Sequence, residues 1–208
     1  MTEDRSCNSR TLDSSTILLL NKWQDNMKRN LVVSLAIISA PLFHAIAADR
    51  KVSQEPVEVK IARALSAGPP QVTADATVAE PAEKGELHIL RQGRNGWTCL
   101  PGSNSIIGDP PMCEDAVALQ WNQDREEGKP HPTTSVPGIE YMLGGATQRS
   151  DTDPHDMSSP AIKIGPHWMI LWPFDPKTSG LPTVHKDSGA YIMYAGTPWA
   201  HIHVMGAP

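Results

Sequence analysis

Phenylalanine is nearly missing from this chain. There are 2 among 208 residues, and all aromatics together make up 5%. A core built from it must lean on aliphatic side chains and on the 6 tryptophans. Cysteine is scarce too, at 3 residues with no CxxC spacing, which removes zinc-ribbon and dithiol-redox motifs from consideration. Basic residues are the minority: Lys+Arg 18 stand against Asp+Glu 23, for a net charge of −5. Nucleic acid and anionic membranes both select a basic face, so neither is an expected partner. The sequence carries no GxSxG, SxxK, HExxH or phosphate-loop pattern. It has no internal repeat and no low-complexity tract, and after residue 48 no apolar run approaches the roughly 20 residues of a membrane span.

What is present begins with a second beginning. Residues 27–49, MKRNLVVSLAIISAPLFHAIAAD, have the parts of a secretory signal: Lys28 and Arg29, an apolar stretch from Leu31 to Ile38, the breaker Pro41, and Ala45-Ile46-Ala47 as a cleavage site. A signal peptide over 27–47, cut after Ala47, is expected. The competing reading is a membrane anchor made by an uncleaved signal. That stretch is short and interrupted by Pro41 and His44. Residues 1–26 have no fold pattern and read as a mis-assigned start or a disordered tail, with Met27 the preferred start. Residues 48–208 are then a single exported domain, periplasmic or secreted, with no membrane span after cleavage.

All but Pro41 of the 19 prolines fall in that domain, about twice the usual share. Proline interrupts helices and central strands, so short elements joined by Pro-rich fixed loops are expected. Cys7 is lost with the N-terminus, leaving Cys99 and Cys113. In an oxidising compartment they read as one disulfide, worth about 3 kcal/mol by loop closure. The Cα atoms are then expected roughly 4.4–6.8 Å apart.

Val57, Ile61, Ala64 and Leu65 recur at helical spacing before the stop Gly68-Pro69-Pro70. A second helix is expected across 109–130, capped by Asp109, opened by Pro110 and closed by Gly128. VTADATVAE and GELHILRQG look extended. Asn95-Gly96 predicts a hairpin joining 86–92 to 97–100. GIEYMLGGA, HWMILWPF, GAYIMYAG and WAHIHVMG read as strands, with HWMILW central and buried. The sum is an α+β fold: a mostly antiparallel sheet with about two helices.

The residues with chemical potential are few. His201 and His203, two apart in HIHVM, project from one face of a strand, and Ile202 and Val204 from the other. Two imidazoles so placed are the start of a metal site; His167 is the best third ligand and His88 the next. The plain alternative is solvent-facing or hydrogen-bonded histidines. No cofactor is expected; a divalent cation is the one this cluster would allow. Asp151, Asp153, His155 and Asp156 lack calcium-loop spacing and read as turn chemistry; Ser158 and Ser159 are sequence neighbours of His155, which says nothing of a triad, since triads form in space. Tryptophans 97, 121, 168, 172 and 199 read as core rather than as a ligand groove, with Phe174 the only phenylalanine left after the cut.

The segments IARALSAGPP, NGWTCLPG, PMCEDAVALQW, GATQRS, TDP, GPHWMI and GTPWAHIHVMG resemble an uncharacterised family of bacterial exported proteins across 61–206. The resemblance implies a bacterial source and export across the inner membrane, and brings no catalytic residue. The expected function is therefore a non-catalytic exported domain that binds a small molecule or an envelope protein. The rivals are a metal-dependent enzyme or metal-binding protein using His167, His201 and His203, and a structural or interaction protein of the envelope.

Overall fold

The computed structural model describes residues 55–208. The expected start, signal and cleavage sites lie outside the described residues. The fold is α+β and sheet-rich. Among the described residues, ten strands form one eight-stranded sheet and one two-stranded sheet, with four helical segments longer than a single 3₁₀ turn. In chain order the strands are β1 Thr77–Pro81, β2 Leu87–Arg91, β3 Thr98–Leu100, β4 Met112–Glu114, β5 Gly138–Met142, β6 Ala146–Gln148, β7 Ile162–Ile164, β8 His167–Leu171, β9 Ala190–Met193 and β10 His201–Met205. The helices are α1 Val57–Leu65, α2 Pro70–Thr73, α3 Ala116–Glu126 and α4 Pro176–Ser179. The expectation of two helices holds for the longer pair, α1 and α3. The other two are four-residue segments, each opened by a proline at its first turn.

The large sheet runs β2-β1-β3-β4-β5-β8-β10-β9, and β6 pairs β7 separately. All neighbours are antiparallel except β1 and β3. HWMILW is central, as read: β8 lies between β5 and β10. The hairpin expected at Asn95-Gly96 does not form, because β1 inserts between β2 and β3. Residues 92–97 instead wrap the end of β1. Arg94 and Asn95 donate their N–H groups to the Asp75 carbonyl, Gly93 N–H donates to Thr77 Oγ1, and Asn95 Nδ2 donates to the Val72 carbonyl. A local turn signal loses to this set of longer-range bonds. The extended reading of 72–80 is likewise corrected at its start, since Val72 and Thr73 close α2.

The second long helix starts later than expected. Met112–Glu114 is strand, and the cap is Asp115 rather than Asp109. Asp115 Oδ1 accepts from the N–H groups of Val117 and Ala118, while Oδ2 accepts from Ile139 N–H on β5. One carboxylate thus caps α3 and ties it to the sheet. At Gly138 a Cβ would stand 2.5 Å from Ala118 N, so only glycine lets α3 settle this close to β5. At the far end, buried Asp124 accepts from Lys129 Nζ, Gln120 Nε2 and the N–H and hydroxyl of Thr133.

Two apolar clusters result. One packs Ala64 of α1, Val72 of α2 and Ala67 of the link between them against Val78, Cys99 and Cys113. Within it Lys60, 4% exposed, is neutralised by Glu80 at 2.6 Å. The other packs Ala118 and Trp121 of α3 against Met169, Leu171, Tyr191, Met193, Tyr194 and Trp199. Trp121 and Trp199 meet edge to face at 5.6 Å, the core role expected of them.

Cys99 and Cys113 are bridged, as expected. Their Cα atoms are 4.0 Å apart, closer than the expected range. The two residues stand directly opposite in the β3–β4 register, so the sheet already brings them together. Two stability tests follow from this half of the molecule. Replacing both cysteines by alanine is expected to cost about 3 kcal/mol, read as a lower denaturant midpoint. Gly93→Ala would set a Cβ 2.2 Å from the Ala76 backbone carbon. It is expected to destabilise by about 3 kcal/mol, and an unchanged midpoint would show that the 92–97 wrap is not held tightly.

Candidate functional site

The register of the central strands lines up an unusual row. Glu114 lies opposite Glu140, Glu140 opposite Met169, Met169 opposite His203, and His203 opposite Tyr191. Opposed residues share a face, so a single line of side chains crosses β4, β5, β8, β10 and β9. On the same face His201 lies opposite Met193, and His167 bridges Met142 and Met205. The alternation that puts Ile202 and Val204 on the reverse face is the one read in HIHVM. The surroundings are not: His167, His201 and His203 are 0%, 6% and 2% exposed, so the solvent-facing alternative is corrected. Helix α3 packs Ala118 and Trp121 against this face.

Each buried imidazole has a definable hydrogen-bond role. His201 Nδ1 sits 2.8 Å from the Trp199 carbonyl and must donate, which leaves Nε2 as a lone pair. His167 Nδ1 likewise donates to the Gly165 carbonyl at 2.8 Å. Its Nε2 is buried with no partner. The Nε2 atoms of His201 and His203 are 3.0 Å apart, so His203 donates its Nε2–H to His201. The Tyr191 hydroxyl, 3.1 Å from His203 Nδ1, then donates to it. The result is a chain of bonds from Tyr191 through His203 and His201 to a backbone carbonyl. Burial is the main force lowering all three imidazole pKa values, that of His201 to about 4. They are neutral at pH 7, and the one lone pair without a hydrogen-bond partner is that of His167 Nε2.

The His167 ring stacks on His203 with centroids 4.8 Å apart. The three histidines named from sequence are therefore neighbours. His88 stands apart, near the outer edge of the sheet, where it meets Glu80 at 3.3 Å. Among the described residues, however, no group of three or more His, Cys, Asp or Glu side chains is placed to hold a metal ion. The aspartate loop forms turns, as read. Asp156 Oδ1 accepts from Ser158 and Ser159, Asp153 from His155, and Asp151 from Gln148 and His185.

Three features of the site carry no sequence motif. The first is a buried carboxyl pair, Glu114 and Glu140, bridged by Asn122 Nδ2, which donates to both. Burial chiefly, then the neighbouring Glu140 carboxyl, pushes Glu114 well up. Burial pushes Glu140 up to about 7. The second is Tyr194, the only non-glycine with positive φ among the described residues, at 54°. Strain of this kind costs about 1–3 kcal/mol and is kept where the fold enforces it. Here Tyr194 N–H donates to the Asp151 carbonyl, and the ring meets His201 edge to face. The third is a cavity of about 90 Å³ under α3, whose wall includes His201, His203, Glu140, Trp121, Trp199 and Tyr194.

Compared with protein-family models, curated proteins and solved structures, the chain matches none. The site is thus defined by its own geometry: a small cavity with His201 and His203 on one wall and the Glu140 carboxyl on another.

The carboxyl pair predicts a pH dependence. The folded state holds a proton on Glu140 up to about 7, where the unfolded chain releases it near the ordinary value of 4.5. That stabilisation is complete below 4.5 and is lost as pH rises towards 7. The histidines act the other way, because their folded values lie below their unfolded ones. Stability from them is gained as pH rises towards 6.5. A difference measurement separates the two. Glu140→Gln, which mimics the protonated carboxyl, is expected to gain in Tm over the natural protein progressively from pH 5 to about pH 7 and to level off above it. A constant Tm difference across that range would show that Glu140 is ionised throughout.

Proposed function

We propose that the chain is an exported, non-catalytic binding domain whose ligand is a small species held in the cavity under α3. The observation that carries the reading is the cavity itself. Its volume, about 90 Å³, suits an ion or a few waters, whereas sites for organic ligands run to roughly 300–1,000 Å³. Polar groups converge on it from a rigid sheet: His201 and His203 from β10 and Glu140 from β5. The disulfide supports export, since such bonds persist in oxidising compartments. No helix among the described residues is long and apolar enough to cross a membrane. The resemblance to bacterial exported proteins and the signal over 27–47 point the same way, towards the periplasm or the exterior.

The metal-dependent enzyme reading shares the histidines but also needs room for a substrate beside the ion. The cavity volume favours binding over turnover. Native mass spectrometry of the untagged protein from its own host is the test. A folded chain carrying one small adduct, absent after denaturation, is the expected result. A chain of bare mass, with no adduct regained from host extract, would count against the reading.

A further inference from the structure

Histidine is not the only potential ligand on the cavity wall. Met112, Met142, Met169 and Met193 line it together with His201 and His203. Their placement follows from register. Met169 lies directly across from His203 on β8, and Met193 directly across from His201 on β9. Opposed side chains have Cβ atoms about 4.5–5.5 Å apart, and methionine has three rotatable bonds with which to aim its sulfur. Each imidazole therefore has a thioether beside it, all four side chains facing one cavity. Both methionines are 3% exposed.

We propose that this cavity is a site for a monovalent copper ion, held by Nε2 of His201 and His203 and by Sδ of Met169 and Met193. The inference rests on the binding reading above and names the ligand. Three observations select a soft ion. Thioethers are poor ligands for hard cations and good ones for Cu⁺, and imidazole accepts copper readily. Hard or borderline ions would want a third histidine, carboxylate or thiolate, and no such set is placed for one among the described residues. The two cysteines of the described residues are spent on each other, so the soft donors left are methionines.

The surrounding hydrogen bonds fit a loaded site. His201 already donates Nδ1–H to the Trp199 carbonyl, the backbone partner that aims Nε2 at a metal. His203 needs only to move its proton from Nε2 to Nδ1. The Tyr191 hydroxyl can then accept where it had donated, since a phenol does both. The exchange leaves both imidazoles neutral, so no net proton is released. Tyr191 is thus a positioning residue. Beyond the four ligands, half-buried Met112 and Met142 continue the wall, which reaches exposed Gly108.

The test is a competition on the full exported protein, without an affinity tag. Cu⁺ is supplied anaerobically as its acetonitrile complex against a chromogenic Cu⁺ chelator. Thiols are omitted so that the Cys99–Cys113 bridge survives. Zn²⁺ is titrated in parallel. The key variant is Met169→Leu/Met193→Leu, which preserves core volume and is expected to stay folded. The natural protein should hold one Cu⁺ per chain in preference to Zn²⁺. The variant should bind Cu⁺ on the order of 100-fold more weakly, and Tyr191→Phe about 10-fold more weakly. Equal Cu⁺ binding by the natural protein and the methionine variant would overturn the proposal. Retention of Zn²⁺ but not Cu⁺ would overturn the copper assignment and leave the binding reading standing. Binding of neither ion overturns copper. If a native adduct persists, the binding reading survives; if none exists, both fall.

Discussion

The Asp115 carboxylate is the contact on which the functional half of the molecule hangs. One oxygen caps α3 and the other accepts from β5. With Gly138 clearing the way for Ala118, this pins the helix against the strand. Only because α3 is pinned there does Asn122 reach both Glu114 and Glu140, and only then does Trp121 meet Trp199. Loosening that contact would admit water to the polar row, and the shifted protonation of the carboxyl pair would go with it.

A polar row under a helix is costly to build, because each buried group must find a partner or lose its hydration without return. The chain meets this cost by linking the groups serially. Tyr191 serves His203, His203 serves His201, and His201 ends on a carbonyl. The carboxyl pair is served by a single amide. What is left over is informative: Glu114 Oε2, Glu140 Oε1 and His167 Nε2 are buried atoms without partners. A structure optimised for stability alone would place aliphatic side chains there. Neutral imidazoles beside thioethers make chemical sense as a soft site.

Much of the fold was legible in local pattern. A continuous apolar run placed β8, period-2 alternation placed β10, and the 3.6-residue spacing placed α1, with its glycine–proline stop. The cysteine pairing followed from count and compartment. Where local signals failed, a non-local partner had outbid them. Asn95-Gly96 has the chemistry of a tight turn, yet its neighbours' donors go to Asp75 and Val72. Asp109-Pro110 has the chemistry of a helix start, yet Met112–Glu114 is claimed by β3 and β5, and Asp115 caps instead.

For the site, HIHVM determined by itself that His201 and His203 share a face, because strand geometry projects alternate residues to the same side whatever the neighbours are. It also made His167 the natural companion. The sequence could not say that the face is buried, that Tyr191 and Trp199 set the tautomers, or that Met169 and Met193 stand opposite the two histidines. Those facts depend on which strands pair and in what register, through contacts between residues far apart in the chain. Strand order and helix placement decide them, and no local window of sequence contains that information.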